Sequence, residues 1–364
     1  QLNIFIKKRS HQTSLFLLSV VLFFNLMIKK TTNFWQKLKL AKKGKPILVL
    51  APMADVTDIA FRMVIAKYGK PDVLWTEFVS ADGLCSAGKN KLLHMLQFSK
   101  KEHPIVAQLF GSNIDNMKKA SAFVASLGFD GIDLNMGCPD KKVEKQGSGS
   151  AHIKNPALAR EIIRAVKIGA PNIPISVKTR VGYNKDELDT WLPQILAENP
   201  AVVTIHARTR KEMSKVPANW DYVKRAVEIR NRLGSQTLIF GNGDVRDITD
   251  AYKKAKETGA DGIMIGRAIF GNPWLFSGKT QKAILDIKNT ADRKEIINKL
   301  KVLIEHTKLF QKLLIKDKNF AVMKKHFKAY VSGWDGVKDL RVSLMNTNSS
   351  GEVEKVIKDY TISN

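Results

Sequence analysis

From Pro46 onward, short apolar runs rich in Val and Ile alternate with longer stretches whose apolar residues recur at helical spacing. Eight runs predict strands, at 47–51, 73–78, 105–109, 131–135, 175–179, 202–205, 238–240 and 262–265. Between them the pattern predicts helices at 116–127, 156–166, 220–233 and 247–258, several opened by Asp, Asn or Pro as helix starts prefer. Eight strand–helix units over about 230 residues predict an α/β fold of the (β/α)8, or TIM-barrel, type. After residue 278 the strand signals stop. Stretches 292–312 and 319–332 then carry apolar residues at helical spacing, Ile296, Ile297, Leu300, Leu303 and Ile304 among them, and predict a small C-terminal helical domain.

This pattern divides the chain into an N-terminal extension (1–45), a barrel (46–278), a helical domain (279–346) and a polar, frayed tail (347–364). In the extension, Lys7, Lys8 and Arg9 precede an apolar run from Leu15 to Ile28. The run resembles a signal anchor but falls short of the roughly 20 residues that span a bilayer, and no small-residue cleavage site follows it. Met27 opens a plausible start of its own, so residues 1–26 are expected to be upstream or dispensable sequence and a membrane association is not expected.

Composition changes the picture in two respects. Sixty Lys and Arg against 34 Asp and Glu leave a net charge of +26, which concentrates polyanions at the surface and makes nucleic acid the natural partner class, with a lysine-biased proteome or a membrane-facing surface as the alternatives that the motifs must decide between. The two cysteines, Cys85 and Cys138, are too few for a disulfide framework or a cysteine-rich metal site and fit a reducing, cytoplasmic compartment.

Candidate chemistry gathers where the predicted strands end. Met53, Glu77, Gln108, Cys138, Lys178, His206, Asn242 and Arg267 each lie at or just past such an end, and a closed barrel brings those ends to one face. Cys138 sits in NMGCPDKK, where Gly137 permits a tight turn and Pro139 fixes the chain beyond it, so the loop presents a thiol able to act as nucleophile or proton donor. Cys85 is assigned a buried, structural role. Lys178 and Arg180 in VKTRVG, with His206 and Arg208 in IHARTR, place four potential cations on adjacent loops. Such an anion site suits a reduced flavin better than a metal, because His206 has no second ligand at a recognisable spacing. The loops FGNGDV and GADGIMIGRAIFGNPW follow the seventh and eighth strands, where barrels commonly bind phosphate. In the helical region Lys324, Lys325, His326 and Lys328 form the most basic run, read as a solvated face with possible phosphate contacts.

Taken in order, LAPMADVTD, NMGCP, KTRVG, HART, GNGDV and GRAIFGNPW closely resemble the tRNA-dihydrouridine synthase family of bacterial type, over roughly residues 46–274. VMKKHFKAYVSG extends the resemblance weakly to the family's C-terminal helical RNA-binding region. The one departure is KEMSKVPANWD, with Pro217 where a glycine is expected before the alanine.

The resemblance implies an FMN enzyme that uses NADPH (or NADH) to reduce tRNA uridines to 5,6-dihydrouridine. It implies that Pro52, Met53 and Ala54 lie against the flavin ring and that Gln108, Lys178 and His206 contact the ring or ribityl chain. Asn242, Gly243, Asp244, Gly266 and Arg267 would hold the ribityl and phosphate, Cys138 would be the catalytic acid, and Asn135 and Arg180 would lie near the substrate base. It implies tRNA as partner, no metal, no stable protein partner and a monomer. A flavin barrel acting on a small molecule and a catalytically silent tRNA-binding protein are the rival readings.

Overall fold

Every predicted run becomes a strand in the computed structural model, which describes residues 33–278, 290–334 and 337–363. The strands are β1 (Ile47–Leu50), β2 (Leu74–Ser80), β3 (Ile105–Phe110), β4 (Gly131–Met136), β5 (Ile175–Arg180), β6 (Val202–His206), β7 (Leu238–Asn242) and β8 (Gly262–Ile265). They pair in parallel in the order β1-β8-β7-β6-β5-β4-β3-β2. The two ends of that order meet at a parallel bridge between Val49 and Val73. There the Leu50 N–H donates to the Val73 carbonyl at 3.3 Å and the Asp72 N–H to the Leu48 carbonyl at 2.8 Å. The sheet is thus rolled into the expected barrel, and β1, β4, β7 and β8 are buried along their whole length, as strands covered on both faces are.

Strands β5, β6 and β7 run one or two residues past the predicted ends, because the polar lip residues continue the ladder: Arg180 registers with His206, and His206 with Asn242. The intervening helices follow from their caps and apolar stripes. Pro156 opens helix Pro156–Gly169, the Asn155 side chain accepts from the Leu158 N–H at 3.2 Å, and Ile162, Ile163 and Val166 are buried. Each of those three contributes roughly 1.5–3 kcal/mol by leaving water.

Helix Ile59–Tyr68 is two-faced. Asp58 caps it by accepting from the Phe61 N–H at 3.0 Å; Phe61 and Ile65 then enter the barrel core, while Ile59, Ala60 and Val64 enter a second core. That second core is built from helix Thr290–Leu314 (Leu300, Leu303, Phe310, Leu314) and from Phe320, Phe327, Leu344 and Val353.

Three expectations for the helical region are corrected. Where a frayed tail is expected over 347–364, Ser350–Ser363 is a helix whose Val353 and Ile357 are buried, because Val353, Val356, Ile357 and Tyr360 form an apolar stripe at helical spacing. The stretch 319–332 splits into a 3-10 turn, Phe320–Met323, and helix Lys324–Tyr330. Within it His326 is not part of a solvated basic face, since its ring is buried 5.3 Å from that of Phe61 and 4.7 Å from that of His306.

Residues 34–41 form a helix capped by Asn33, whose side chain accepts from the Trp35 and Gln36 N–H groups. The expectations for residues 1–26 and a start at Met27 lie outside the described residues, as does the expected barrel boundary after 278. Among the described residues no helix is long and apolar enough to cross a membrane.

Candidate active site

Parallel register carries the predicted site residues to one lip. Gln108 lies beside Asp133, Asn135 beside Lys178, Arg180 beside His206, His206 beside Asn242, and Asn242 beside Met264. A cleft open to solvent is lined here by Pro52 and Met53, by Lys178, His206 and Arg208, by Asn242, Gly243 and Asp244, and by Gly266 and Arg267. Nine of the eleven residues expected at a cofactor therefore line one cleft. Gln108 and Ala54 are the two that do not.

The loop after β7 is held by charge and by tryptophan. Asp244 accepts from Arg208 Nη2, from Arg267 Nη2 at 2.7 Å and from the Ala218 N–H at 2.9 Å. Burial works to raise the Asp244 carboxyl, but the Ala218 N–H and the two arginines outweigh it and hold the pKa below the usual range. Trp220 Nε1 donates to the Gly243 carbonyl at 2.9 Å, and Gly243 sits at φ +129°, a conformation natural only to glycine. At Gly266 a Cβ would come no nearer to protein than 3.7 Å, so the missing side chain leaves room in the cleft that packing does not require.

The four expected cations turn out to be unequal. Lys178 Nζ has no hydrogen-bond partner among the described residues, and burial with the neighbouring Arg180 lowers its pKa to about 8, which leaves it charged at neutral pH. His206 is not a cation: burial, then Lys178, Arg180, Arg208 and Arg267, push it well below the ordinary imidazole value. Arg208 Nη1 donates to its Nε2 at 3.1 Å, which leaves the ring proton on Nδ1. Arg180 is buried and donates to the carbonyls of Gly137 (2.8 Å), Thr209 (2.9 Å) and Met213 (3.0 Å). Its charge thus binds the Cys138 loop to the loop after β6.

A hydrogen-bonded line leads to Cys138. Asp133 accepts from Ser176 Oγ at 2.6 Å and from Gln108 Nε2 at 2.7 Å; Gln108 Oε1 accepts from Asn135 Nδ2 at 3.1 Å; and Asn135 Oδ1 accepts from the Cys138 N–H at 2.9 Å. On the other side Ser150 donates through its N–H (3.0 Å) and its Oγ (2.9 Å) to the Cys138 carbonyl. The loop is therefore rigid and Cys138 half-buried. Burial raises the thiol pKa; the nearby Lys178 and Arg180 only partly offset that. The group is a protonated thiol at neutral pH, a proton donor before it is a nucleophile. Cys85, expected to be buried, is instead exposed.

Sequence reasoning passed over Asp133 and Ser176. The signal for Asp133 was present, a carboxylate inside the apolar run GIDLNM, and burial raises its pKa to about 6. Among the described residues no group of three or more His, Cys, Asp and Glu could hold a metal ion.

A closed parallel barrel with a cationic cleft and a rigid thiol loop at its strand ends defines an enzyme of the (β/α)8 class. The dihydrouridine synthase family model matches residues 49–363, and the chain belongs to that family. "Probable tRNA-dihydrouridine synthase 2" of Bacillus subtilis (strain 168) is 39% identical over 332 residues, which cover 91% of this chain and 97% of that protein. A "Probable tRNA-dihydrouridine synthase" of Staphylococcus aureus (strain Mu50) is 39% identical over 331 residues, 90% of this chain and 95% of that protein.

Proposed function

We propose that this chain reduces uridines in tRNA to 5,6-dihydrouridine, with FMN held in the cleft and NADPH (or NADH) as the reductant. The observation that carries the reading is the protonated Cys138 thiol, held rigidly on the loop after β4 and close enough to Lys178 and Arg180 to feel their charge. Its support is the family and the fit of the cleft to FMN: a free ammonium at Lys178, an arginine-lined glycine loop at 242–244, and a bare backbone at Gly266 that packing does not require.

FMN bound there would supply the hydride that adds to uracil carbon 6. Pro52 and Met53 would wall the ring, Lys178 and neutral His206 would face its polar edge, and Arg267 with the N–H groups around Gly243 would face the phosphate. Cys138 Sγ gives its proton to carbon 5, which completes reduction of the C5–C6 double bond, and the thiolate regains a proton from solvent. The thiol's raised pKa keeps that proton in place until carbon 5 becomes basic. Asn135 and Arg180 act near the base by fixing this loop. A uridine inside folded tRNA reaches the thiol only by leaving its stack, at a cost of a few kcal/mol that phosphate contacts offset. We assign the barrel (46–278) to flavin and base, and the helical region to the tRNA body. The enzyme acts as a monomer in the cytoplasm, where its substrate lies.

The test is nucleoside mass spectrometry of dihydrouridine-free tRNA incubated with the protein, FMN and NADPH. Dihydrouridine is the expected product, and its absence from a flavin-loaded reaction would overturn the substrate.

A further inference from the structure

Glu77 lies in β2 at a register shift between Trp75 and Phe78, a bulge that re-aims side chains at the barrel rim. Its side chain is 2% exposed and carries two duties. Oε1 accepts from the Asp55 N–H at 2.6 Å, which holds Asp55 at φ +54°, a left-handed conformation that costs a non-glycine residue energy. Both oxygens also accept from Lys318 Nζ, at 2.9 and 2.8 Å.

Lys318 does not belong to the barrel. It follows helix Thr290–Leu314 in the helical region, and its side chain is only 9% exposed. The segment that Glu77 shapes, 52–57, carries the Pro52 and Met53 wall of the cleft and is closed by the Met53 N–H donating to Thr57 Oγ1 at 3.0 Å. It runs directly into helix Ile59–Tyr68, the element whose two faces are shared between the barrel core and the helical core.

We propose that Lys318 is a positioning residue: through its ion pair with Glu77 it makes the geometry of the 52–57 wall, and so the affinity for flavin, depend on the seating of the helical region. The argument is electrostatic. A buried carboxylate that loses its counter-cation must either take up a proton or draw in water, and either change loosens its hold on the Asp55 N–H. The cation comes from the part of the chain that we assign to tRNA, so the wall is complete only when that part is docked. By reciprocity, flavin in the cleft strengthens the docking in return. The inference rests on the flavin reading of the cleft.

The test is the FMN dissociation constant of flavin-free protein, read by quenching of flavin fluorescence, with circular dichroism as the check of folding. Lys318→Met should weaken FMN binding by tenfold or more in a folded protein, and Lys318→Arg should stay within about threefold of the parent. Adding Glu77→Gln to Lys318→Met should recover most of the loss, because no buried charge is then left unpaired and the glutamine oxygen still accepts from Asp55. Parental affinity in Lys318→Met, or losses that simply add in the double variant, would overturn the coupling. Should Lys318→Met not fold, the comparison passes to Glu77→Gln with and without Lys318→Met. Equal or tighter binding on removing the lysine supports the proposal, and a further loss overturns it. A parent protein that binds no FMN overturns the flavin reading and this inference together, an outcome separate from parental binding that the variants leave unchanged.

Discussion

Gly241 shows how narrow the tolerances are at single positions. A Cβ there would meet Trp220 Cζ3 at 2.3 Å, and the same indole donates to the Gly243 carbonyl. Gly241→Ala must displace the ring, at about 1–3 kcal/mol for an overpacked site, and release the glycine loop with it. Denaturant unfolding should show that loss of stability, and FMN affinity should fall with it. Cys138→Ala is the opposite case. On the proposed mechanism the half-buried thiol supplies a proton and little packing, so the variant should keep its fold, the proposed flavin and its reduction by NADPH. Its turnover on tRNA should fall by roughly 10²–10⁴, the usual worth of a positioned acid, as single-turnover kinetics on tRNA can measure. Residues of this kind were legible in the sequence because parallel strands end at one lip, so position along the strand already implied position in the site. Asp133 was less so, since the partners that give its carboxylate a purpose, Gln108 and Ser176, lie 25 and 43 residues away. Arg180 was legible as a cation but not as a clamp, because nothing in VKTRVG says that its guanidinium will meet the carbonyls of Gly137, Thr209 and Met213.

Among the elements, the helical region holds the clearest response to pH. His306 and His326 stand with ring centroids 4.7 Å apart, both buried, and neither nitrogen of His306 nor Nε2 of His326 has a partner among the described residues. Burial lowers His306 to about 3 and carries His326 well below the ordinary value. The unfolded chain takes up protons on these imidazoles below about pH 6.5 while the folded chain refuses them, so stability falls as pH drops from about 6.5 toward 3. Asp58 and Asp133, raised by burial to about 6, act in the other sense, since the folded state binds their protons first and gains stability as pH falls from about 6 toward 4. His306→Phe, which suits a cluster already holding Phe61 and Tyr330, should flatten the acid limb of a Tm-against-pH profile; an unchanged slope would exclude the pair as its source. Strands and barrel helices were readable from period and caps. The Ser350–Ser363 helix was missed because its stripe is thin and its flanks polar, although Val353, Val356, Ile357 and Tyr360 stood at the right spacing. Helix Ile59–Tyr68 matters for engineering as well. Exchanging the helical region between relatives should succeed only if this helix travels with it, as soluble yield of the two chimaeras would show.

Over the whole molecule, a charge of +26 exceeds what solubility needs, and it sets an expectation that no single contact can. If tRNA is held through about six to ten phosphates, affinity should drop by roughly 10³–10⁵ between 50 and 200 mM salt. Filter binding across a salt series measures the slope, and a flat response would mean that the excess charge serves something other than tRNA.

The barrel's seam has a consequence in time. β1 forms its four-residue ladder with β8, the last strand made, and touches β2, its neighbour in sequence, at the Val49–Val73 bridge. At ribosomal speeds of about 5–20 residues per second, Ile47 waits about 10–40 s before Gly262 exists to pair with it. Strands β2 to β8 can be laid down one upon the next, but the Ala51 N–H meets the Ile265 carbonyl, at 2.8 Å, only after the whole barrel has been synthesised. That closing bond is also what draws the wall at Pro52 and Met53 toward the one at Gly266 and Arg267. A cofactor gripped by both walls would bind only a chain whose last strand has docked, and so would favour nascent chains that have closed correctly.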